Sequence, residues 1–278
     1  LGGDILNDCF NKIRGGNCTL YIHKNFRNNA FEQALLDSGE KLGEHYQLTT
    51  ILSSKFARVY KLSVGFDNGD RAVYFKQYLC RSAWDFIKDF VRANRAERAF
   101  KAAEMLGENG FDVPAVIAIG KYKGGLFHTK SFLVTEEIED AKRIYEFISD
   151  STLGIQDKRE LIRVFGQTIG KMHAKGIFHG DLRLGNVLVK EDKGQWRFFF
   201  LDNERTRKFY HLPSRLRLKN LVQINMFQAA TVSNTDRMRF FKEYLTQNKE
   251  SSIERTMLIK KVLKKTSRRL QKKMKAAE

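Results

Sequence analysis

The residues best suited to chemistry lie in one stretch, His179-Gly180-Asp181-Leu182-Arg183-Leu184-Gly185-Asn186, followed by Leu201-Asp202-Asn203-Glu204. Transfer of a phosphoryl group needs a carboxylate that orients the acceptor hydroxyl and takes its proton, and oxygen ligands for magnesium beside the triphosphate. An Asp and an Asn five apart, in a loop between a helix and a short strand, can be aimed at one point. Asp181 is then the base and Asn186 a metal ligand. The apolar run Phe198 to Leu201 delivers Asp202 at its end, where a carboxylate can hold magnesium. Each piece alone has a plainer reading. Asp202-Asn203 after a strand is ordinarily a turn, and an isolated Asp181 could cap a loop. Their order and spacing favour the chemical one.

Upstream, Tyr74-Phe75-Lys76-Gln77-Tyr78 sets a lysine among aromatic residues in a strand. A strand-interior lysine is costly to bury without a partner. Nucleotide phosphates and a helix glutamate would supply two. Glu97 is the candidate glutamate, although Glu104 lies two turns further along the same helix; an edge-facing, solvated Lys76 is the alternative.

Several elements must position these groups. Tyr46–Leu52, Phe56–Val64 and Arg71–Leu79 are rich in β-branched and aromatic residues, with Asn68-Gly69 as a hairpin signal between the last two. A long helix is predicted over Ser82–Glu108, ended by Asn109-Gly110. Two more strands, Ala115–Tyr122 and Ser131–Glu136, bracket Gly124-Gly125. From Asp140 the chain turns mostly helical, and Leu161, Val164, Phe165, Ile169 and Met172 fall at helical spacing within Asp157–Lys175. Two short strands flank Asp192-Lys193-Gly194. Strands first and helices after predict an α+β protein of two lobes. The expected division is an N-terminal extension over residues 1–45, holding a short strand at Thr19–His23 and a short helix at Phe31–Leu42, an N-lobe over 46–138 and a C-lobe over 139–278.

Lys76, Glu97, Asp181, Asn186 and Asp202 reproduce the order of the protein-kinase signature set. The His-Gly-Asp-Leu loop with Asp-Asn-Glu at the metal position resembles the lipopolysaccharide kinase (Kdo/WaaP) family. So do Arg95-Ala96-Glu97-Arg98, which approximates that family's Arg-Glu pair, and Asp236-Arg237-Met238-Arg239-Phe240-Phe241 ahead of Tyr244-Leu245. The resemblance covers about residues 46 to 250. It implies a bilobal protein-kinase-like fold, with a small five-stranded antiparallel N-lobe carrying one helix and a mainly helical C-lobe. It also implies ATP and Mg2+ as cofactors and a sugar hydroxyl, of Kdo or heptose in the lipopolysaccharide inner core, as acceptor. Lys76, Glu97, Ser53, Ser54 and Glu136 are then nucleotide-binding candidates, Asp181 and Arg183 catalytic ones, with Arg183 placed to meet the γ-phosphate, and Asn186 and Asp202 metal ligands. The chain departs from the kinase pattern where Ser53-Ser54-Lys55-Phe56-Ala57 replaces a glycine-rich loop. Gly180 stands where many protein kinases have an arginine that grips a phosphorylated loop, and no Asp-Phe-Gly or Ala-Pro-Glu follows. His179 reads as a brace for the loop.

Lys and Arg number 50 against 32 Asp and Glu, a net charge of +18. Such a balance points to an anionic partner: an anionic glycolipid acceptor, the cytoplasmic surface of the inner membrane, or an acidic protein. Nucleic acid is not expected, because no nucleic-acid motif accompanies the charge. Two basic clusters stand out. Arg205, Arg207, Lys208, Arg215, Arg217 and Lys219 follow Asp202, and arginine forks there suit sugar carboxylates and phosphates. Near the C-terminus Lys260, Lys264, Arg268 and Lys272 form one row, Lys261, Lys265, Arg269 and Lys273 the next, and Leu258, Val262, Leu270 and Met274 an apolar one. That helix could lie on an anionic membrane or pack its apolar row on the C-lobe. No apolar run approaches a membrane span, no signal peptide is visible, and Cys9, Cys18 and Cys80 lack metal or disulfide spacing, so a cytoplasmic, peripherally membrane-associated protein is expected. Competing readings are another small-molecule kinase of the aminoglycoside or choline type, a protein kinase, and a pseudokinase scaffold.

Overall fold

The computed structural model describes residues 9–37, 42–67, 69–79, 93–123, 129–150, 152–248 and 251–276. The chain forms two compact units, one of Leu1–Lys101 with Pro114–Glu139, the other of Ala102–Val113 with Asp140–Glu278.

The first unit is built on an antiparallel sheet. Its strands are β1 (Phe10–Gly15), β2 (Cys18–His23), β3 (Thr49–Ile51), β4 (Ala57–Phe66), β5 (Gly69–Tyr78), β6 (Val116–Lys123) and β7 (Thr129–Glu136), in the order β1-β2-β6-β7-β5-β4-β3. The five predicted strands are β3 to β7. The other two come from the segment read as an extension: Cys18 to Ile22 pair with Tyr122 to Ala118, and the sheet has seven strands rather than five. Strand β2 is the short strand expected at Thr19–His23, with Cys18, Leu20 and Ile22 alternating into the core; what was missed is its hairpin partner β1, reached through Gly16 at φ 51°. Helices α1 (Asn29–Leu36) and α2 (Leu42–His45) cover one face, where Phe31 and Leu35 meet Leu20, Ile22, Val73, Phe75 and Phe132. On the other face Tyr78, Ile119 and Leu133 pack against Ala96, Ala99 and Phe100 of α3 (Arg95–Glu108).

Helix α3 begins at Arg95, after Ala93 and Asn94, which are not helical. Asn94 Oδ1 accepts the Glu97 N–H at 3.0 Å, and the Glu97 carboxylate accepts the Asn94 N–H at 3.2 Å. That reciprocal cap sets the start at Arg95. The stretch 80–92, like Asn68, Gly124 and Gly125, lies outside the described residues.

The chain enters the second unit at Asp140, whose φ of 60° is left-handed. There follow β8 (Lys142–Arg143), α4 (Ile144–Ser149), α5 (Ile155–Ala174), β9 (Ile177–Phe178), β10 (Val187–Asp192), β11 (Gln195–Phe200), β12 (Arg207–Lys208), α6 (Ser214–Asn225), α7 (Asn234–Thr246) and α8 (Ser252–Met274). The core gathers Leu161, Phe165, Ile169 and Met172 of α5 with Phe240, Phe241 and Tyr244 of α7 and Val187, Val189, Phe198 and Phe200 of the β10–β11 hairpin. Helices α5 and α7 approach closely through two glycines one turn apart. A Cβ at Gly166 would stand 2.6 Å from the Phe240 carbonyl oxygen, and one at Gly170 2.6 Å from that of Tyr244. Among the described residues no helix is long and apolar enough to cross a membrane.

Candidate active site

The β10–β11 hairpin explains how Asn186 and Asp202 come together. Its turn places Lys193 (φ 51°) and Gly194 (φ 78°) in the left-handed conformation that matches strand twist. Val187 is therefore in register with Phe200, and the Leu201 N–H donates to the Asn186 carbonyl at 2.9 Å. Asn186 thus stands opposite Leu201 just beyond the last rung, and Asp202 follows Leu201 directly. Asp202 is itself left-handed (φ 58°, ψ 48°), which turns the chain sharply out of the strand.

The Asp181 loop is fastened to the same end. Asn186 Nδ2 donates to the Asp181 carbonyl at 2.9 Å, and among the described residues its Oδ1 accepts nothing. His179 is fully buried; its Nδ1 accepts the Asp181 N–H at 3.2 Å and its Nε2 donates to the Leu201 carbonyl at 3.1 Å. The ring ties the loop to the strand that carries Asp202, the brace its position implied. Burial holds its pKa below the ordinary histidine value, against the pull of the Asp202 and Asp181 charges. Gly180 has a steric cause: a Cβ there would lie 2.2 Å from the Arg205 Cβ and 2.7 Å from its carbonyl carbon, so no side chain fits.

Asp181 Oδ1 forms an ion pair with Arg183 Nε at 2.9 Å and accepts Gln223 Nε2 at 3.0 Å. Its Oδ2 has no partner among the described residues. Gln223 of α6 is a residue that sequence reasoning missed, because nothing in Leu221-Val222-Gln223-Ile224 marks it apart from other half-buried helix glutamines. Arg183 is exposed. Arg205 and Arg207 are exposed as well, and Arg207 is in register with Phe178, next to His179. Lys208 instead bonds Asn109 at 2.8 Å and Lys219 lies over the Phe178 ring. Arg217 is half-buried, stacks on Tyr244 and donates to its hydroxyl, so its place is structural and not part of an acceptor surface.

In the first unit, Lys76 sits on β5 between Val59 of β4 and Leu133 of β7, so the edge-strand reading fails. Its Nζ lies 5.1 Å from the Tyr78 ring, and Arg95 of α3 covers the same ring at 4.6 Å. Tyr78 thus joins the lysine strand to the first turn of the glutamate helix. Ser53 Oγ donates to the Ala57 carbonyl at 2.6 Å and Ser54 Oγ accepts the Phe56 N–H at 3.4 Å, so both hydroxyls shape their own turn. Leu52, just before them, is 98% exposed. The Glu136 carboxylate pairs with Arg71 at 3.4 Å.

The lipopolysaccharide kinase (Kdo/WaaP) family profile matches residues 52–244, well over half of the chain. The chain belongs to that family. Among curated relatives, the 3-deoxy-D-manno-octulosonic acid kinase of Vibrio cholerae is 29% identical over 102 residues, covering 37% of this chain and 41% of that protein. The lipopolysaccharide core heptose(I) kinase WaaP of Pseudomonas aeruginosa is 27% identical over 158 residues, 54% of this chain and 59% of the relative. The KEOPS complex subunit Bud32 of Pyrococcus abyssi is 30% identical over 111 residues, 39% and 44% of the two chains. The chain therefore spans about half the length of the curated relatives it matches. A solved structure of WaaP in complex with acyl carrier protein shares the fold, with a TM-score of 0.62 at 20% identity over 87% of this chain and 97% of that one. The protein-kinase-like fold is thereby shown.

The family's Asp-Arg-x-x-Phe stretch proves to be scaffolding in this family member. Asp236 caps α7 through Ser233 and pairs with Arg239 at 2.6 Å and Lys158 at 3.7 Å. Arg237 donates to the carbonyls of Asn225 and Phe227 at the end of α6. Phe240 and Phe241 are buried. Among the described residues no three His, Cys, Asp or Glu converge on a metal. Asn186 Oδ1 and the Asp202 carboxylate, at one hairpin end, are nonetheless a donor set that fits magnesium, which takes one or two protein oxygens and fills its sphere with phosphate and water.

Proposed function

We propose that this chain is an ATP-dependent kinase that phosphorylates a sugar, Kdo or heptose, of the lipopolysaccharide inner core. The observation that carries the reading is the convergence of Asp181, Asn186 and Asp202 at one end of the β10–β11 hairpin, within the stretch matched by the family. In this reading Asp181 Oδ2 faces the acceptor hydroxyl and takes its proton as the sugar oxygen bonds the γ-phosphorus of ATP and the bond from that phosphorus to the β,γ-bridging oxygen breaks, leaving ADP. Arg183 neutralises charge on the transferring phosphate. Asn186 and Asp202 hold magnesium, which offsets charge on the phosphates when bound. Lys76, with Glu97 as its helix partner, pairs the nucleotide phosphates; the backbone around Ser53, Ser54 and Glu136 completes the nucleotide contacts, since those side chains serve their own turn or Arg71. Exposed Arg205 and Arg207 beside Gly180 suit an acceptor that carries carboxylates or phosphates.

The reading extends to place and partners. An acceptor embedded in a bilayer puts the enzyme at the cytoplasmic face of the inner membrane. The structurally similar WaaP was captured with an acyl carrier protein. An acidic carrier of that kind is the protein partner we propose for a chain of charge +18.

The test is phosphate transfer from ATP to lipopolysaccharide with an unphosphorylated inner core, run beside generic proteins and aminoglycosides. Transfer to the glycolipid is expected. Asp181→Asn and Asp202→Asn should each lower the rate by about 10²- to 10⁴-fold with circular dichroism unchanged. Rates within a few-fold of wild type would remove the site assignment. Transfer only to proteins or aminoglycosides would remove the acceptor.

A further inference from the structure

Behind Asp181, five side chains form an unbroken file whose hydrogen bonds all run the same way. Asn220 fixes the direction. Its Nδ2 donates to the His179 carbonyl at 2.6 Å and its Oδ1 accepts the His179 N–H at 3.2 Å, so its amide can stand only one way round. Oδ1 also meets His173 Nε2 at 3.2 Å, which must carry the ring proton. His173 Nδ1 is then an acceptor and takes the Tyr244 hydroxyl proton at 2.8 Å, while that hydroxyl oxygen accepts from Arg217 Nε. On the other side Asn220 Nδ2 donates to Gln223 Oε1 at 2.9 Å, which also accepts the Leu182 N–H. The Gln223 Nε2 is left to donate to Asp181 Oδ1 at 3.0 Å.

From these distances we infer that Gln223, held by the file Arg217–Tyr244–His173–Asn220, is a positioning residue that occupies Asp181 Oδ1 and so presents Oδ2 as the atom that accepts the proton. The inference rests on the proposed kinase reading. Every donor in the file points toward Asp181, from a guanidinium at one end to a carboxylate at the other. Bonds aligned in this way polarise one another, and the middle of the file is buried. His173 and Asn220 are 3% and 0% exposed, so water does not compete. Burial pushes the His173 pKa down to about 3, and the neutral ring that the file requires persists throughout the working pH range.

Gln223→Leu and Gln223→Met, the second matching glutamine in length, both delete the donor. Each should reduce kcat by about ten- to a hundredfold while KM for ATP stays within about twofold, because misaimed Oδ2 costs reactive geometry, not nucleotide binding. The ¹⁵N spectrum of His173 should report the Nε2–H tautomer, and Tyr244→Phe should shift its Nδ1 resonance. Wild-type kcat in both Gln223 deletions, or an Nδ1–H ring in the wild type, overturns the inference. Loss of KM and kcat together with a lowered unfolding midpoint also overturns it, as a merely structural role. If Asp181→Asn is inactive while the Gln223 deletions are not, only this inference falls. If Asp181→Asn is active, the kinase reading itself falls.

Discussion

Asp181 and His173 show how one histidine can matter to a site it does not touch. His173 is neutral in the folded protein because burial lowers its pKa to about 3 from the ordinary 6.5. The unfolded chain therefore binds a proton below pH 6.5 that the folded chain refuses. Stability from this group is complete above that value and is lost as pH falls toward 3. Between pH 6.5 and pH 5 the loss amounts to about 2 kcal/mol, and His179, lowered in the same direction by burial, adds to it. Urea midpoints should drop accordingly from pH 7.5 to pH 5, and a His173→Asn variant should show a shallower drop. The candidate loop could be picked out of the sequence, because Asp181, Asn186 and Asp202 stand at the spacings that phosphoryl-transfer chemistry asks for. The file behind it was not. Asn220, Gln223 and Tyr244 are ordinary helix residues in sequence, and only the crossing of α5, α6 and α7 brings them onto one line.

At the scale of elements, the two glycines on α5 set how near α7 can come, and hence where Tyr244 stands. Alanine raises intrinsic helix stability by about 1 kcal/mol over glycine. At Gly170, however, the added methyl would press on the Tyr244 carbonyl oxygen and on Gln247, and backbone cannot yield as a flexible side chain does. Gly170→Ala should thus destabilise by about 1–3 kcal/mol and lower kcat by disturbing Tyr244. Gly107→Ala on α3, where nothing lies within 4 Å of the new Cβ, should instead stabilise by about 0.5–1 kcal/mol. Chemical denaturation of the two variants side by side checks the contrast. Periodicity served well for long elements: Leu161, Phe165, Ile169 and Met172 are buried as their spacing predicts. It did not mark the Asn94 cap that starts α3 at Arg95, and it missed β1, though the strand expected at Thr19–His23 is present as β2.

Across the whole molecule the charge is the dominant property, and α8 is where it is most ordered. That helix runs for 23 residues and packs through the middle of its apolar side: Val262 is buried, Leu258 and Leu270 are half-buried, and Thr266 accepts from Asn225 of α6 at 3.1 Å, while Met274 is exposed. The basic rows face water, with Ile253 and Met257 exposed ahead of them. We therefore predict surface adsorption to anionic lipid by the lysine rows, without insertion of the packed face. Lys260→Glu with Lys264→Glu and Arg268→Glu should cut partition onto phosphatidylglycerol vesicles by about a hundredfold. High salt should weaken the wild type toward the same level as the screening length falls from about 10 Å to about 3 Å. Flotation on vesicles with and without phosphatidylglycerol measures both; equal binding to the two would reject the idea. At the other end of the chain, the pairing of Cys18 with Tyr122 bears on events before the fold exists. Strands β1 and β2 emerge from the ribosome well ahead of β6, and pairing between segments so far apart is slow. Until Lys123 has been made, the early hairpin waits with the hydrogen-bonding edge of β2 open, the kind of edge onto which a stray strand can add.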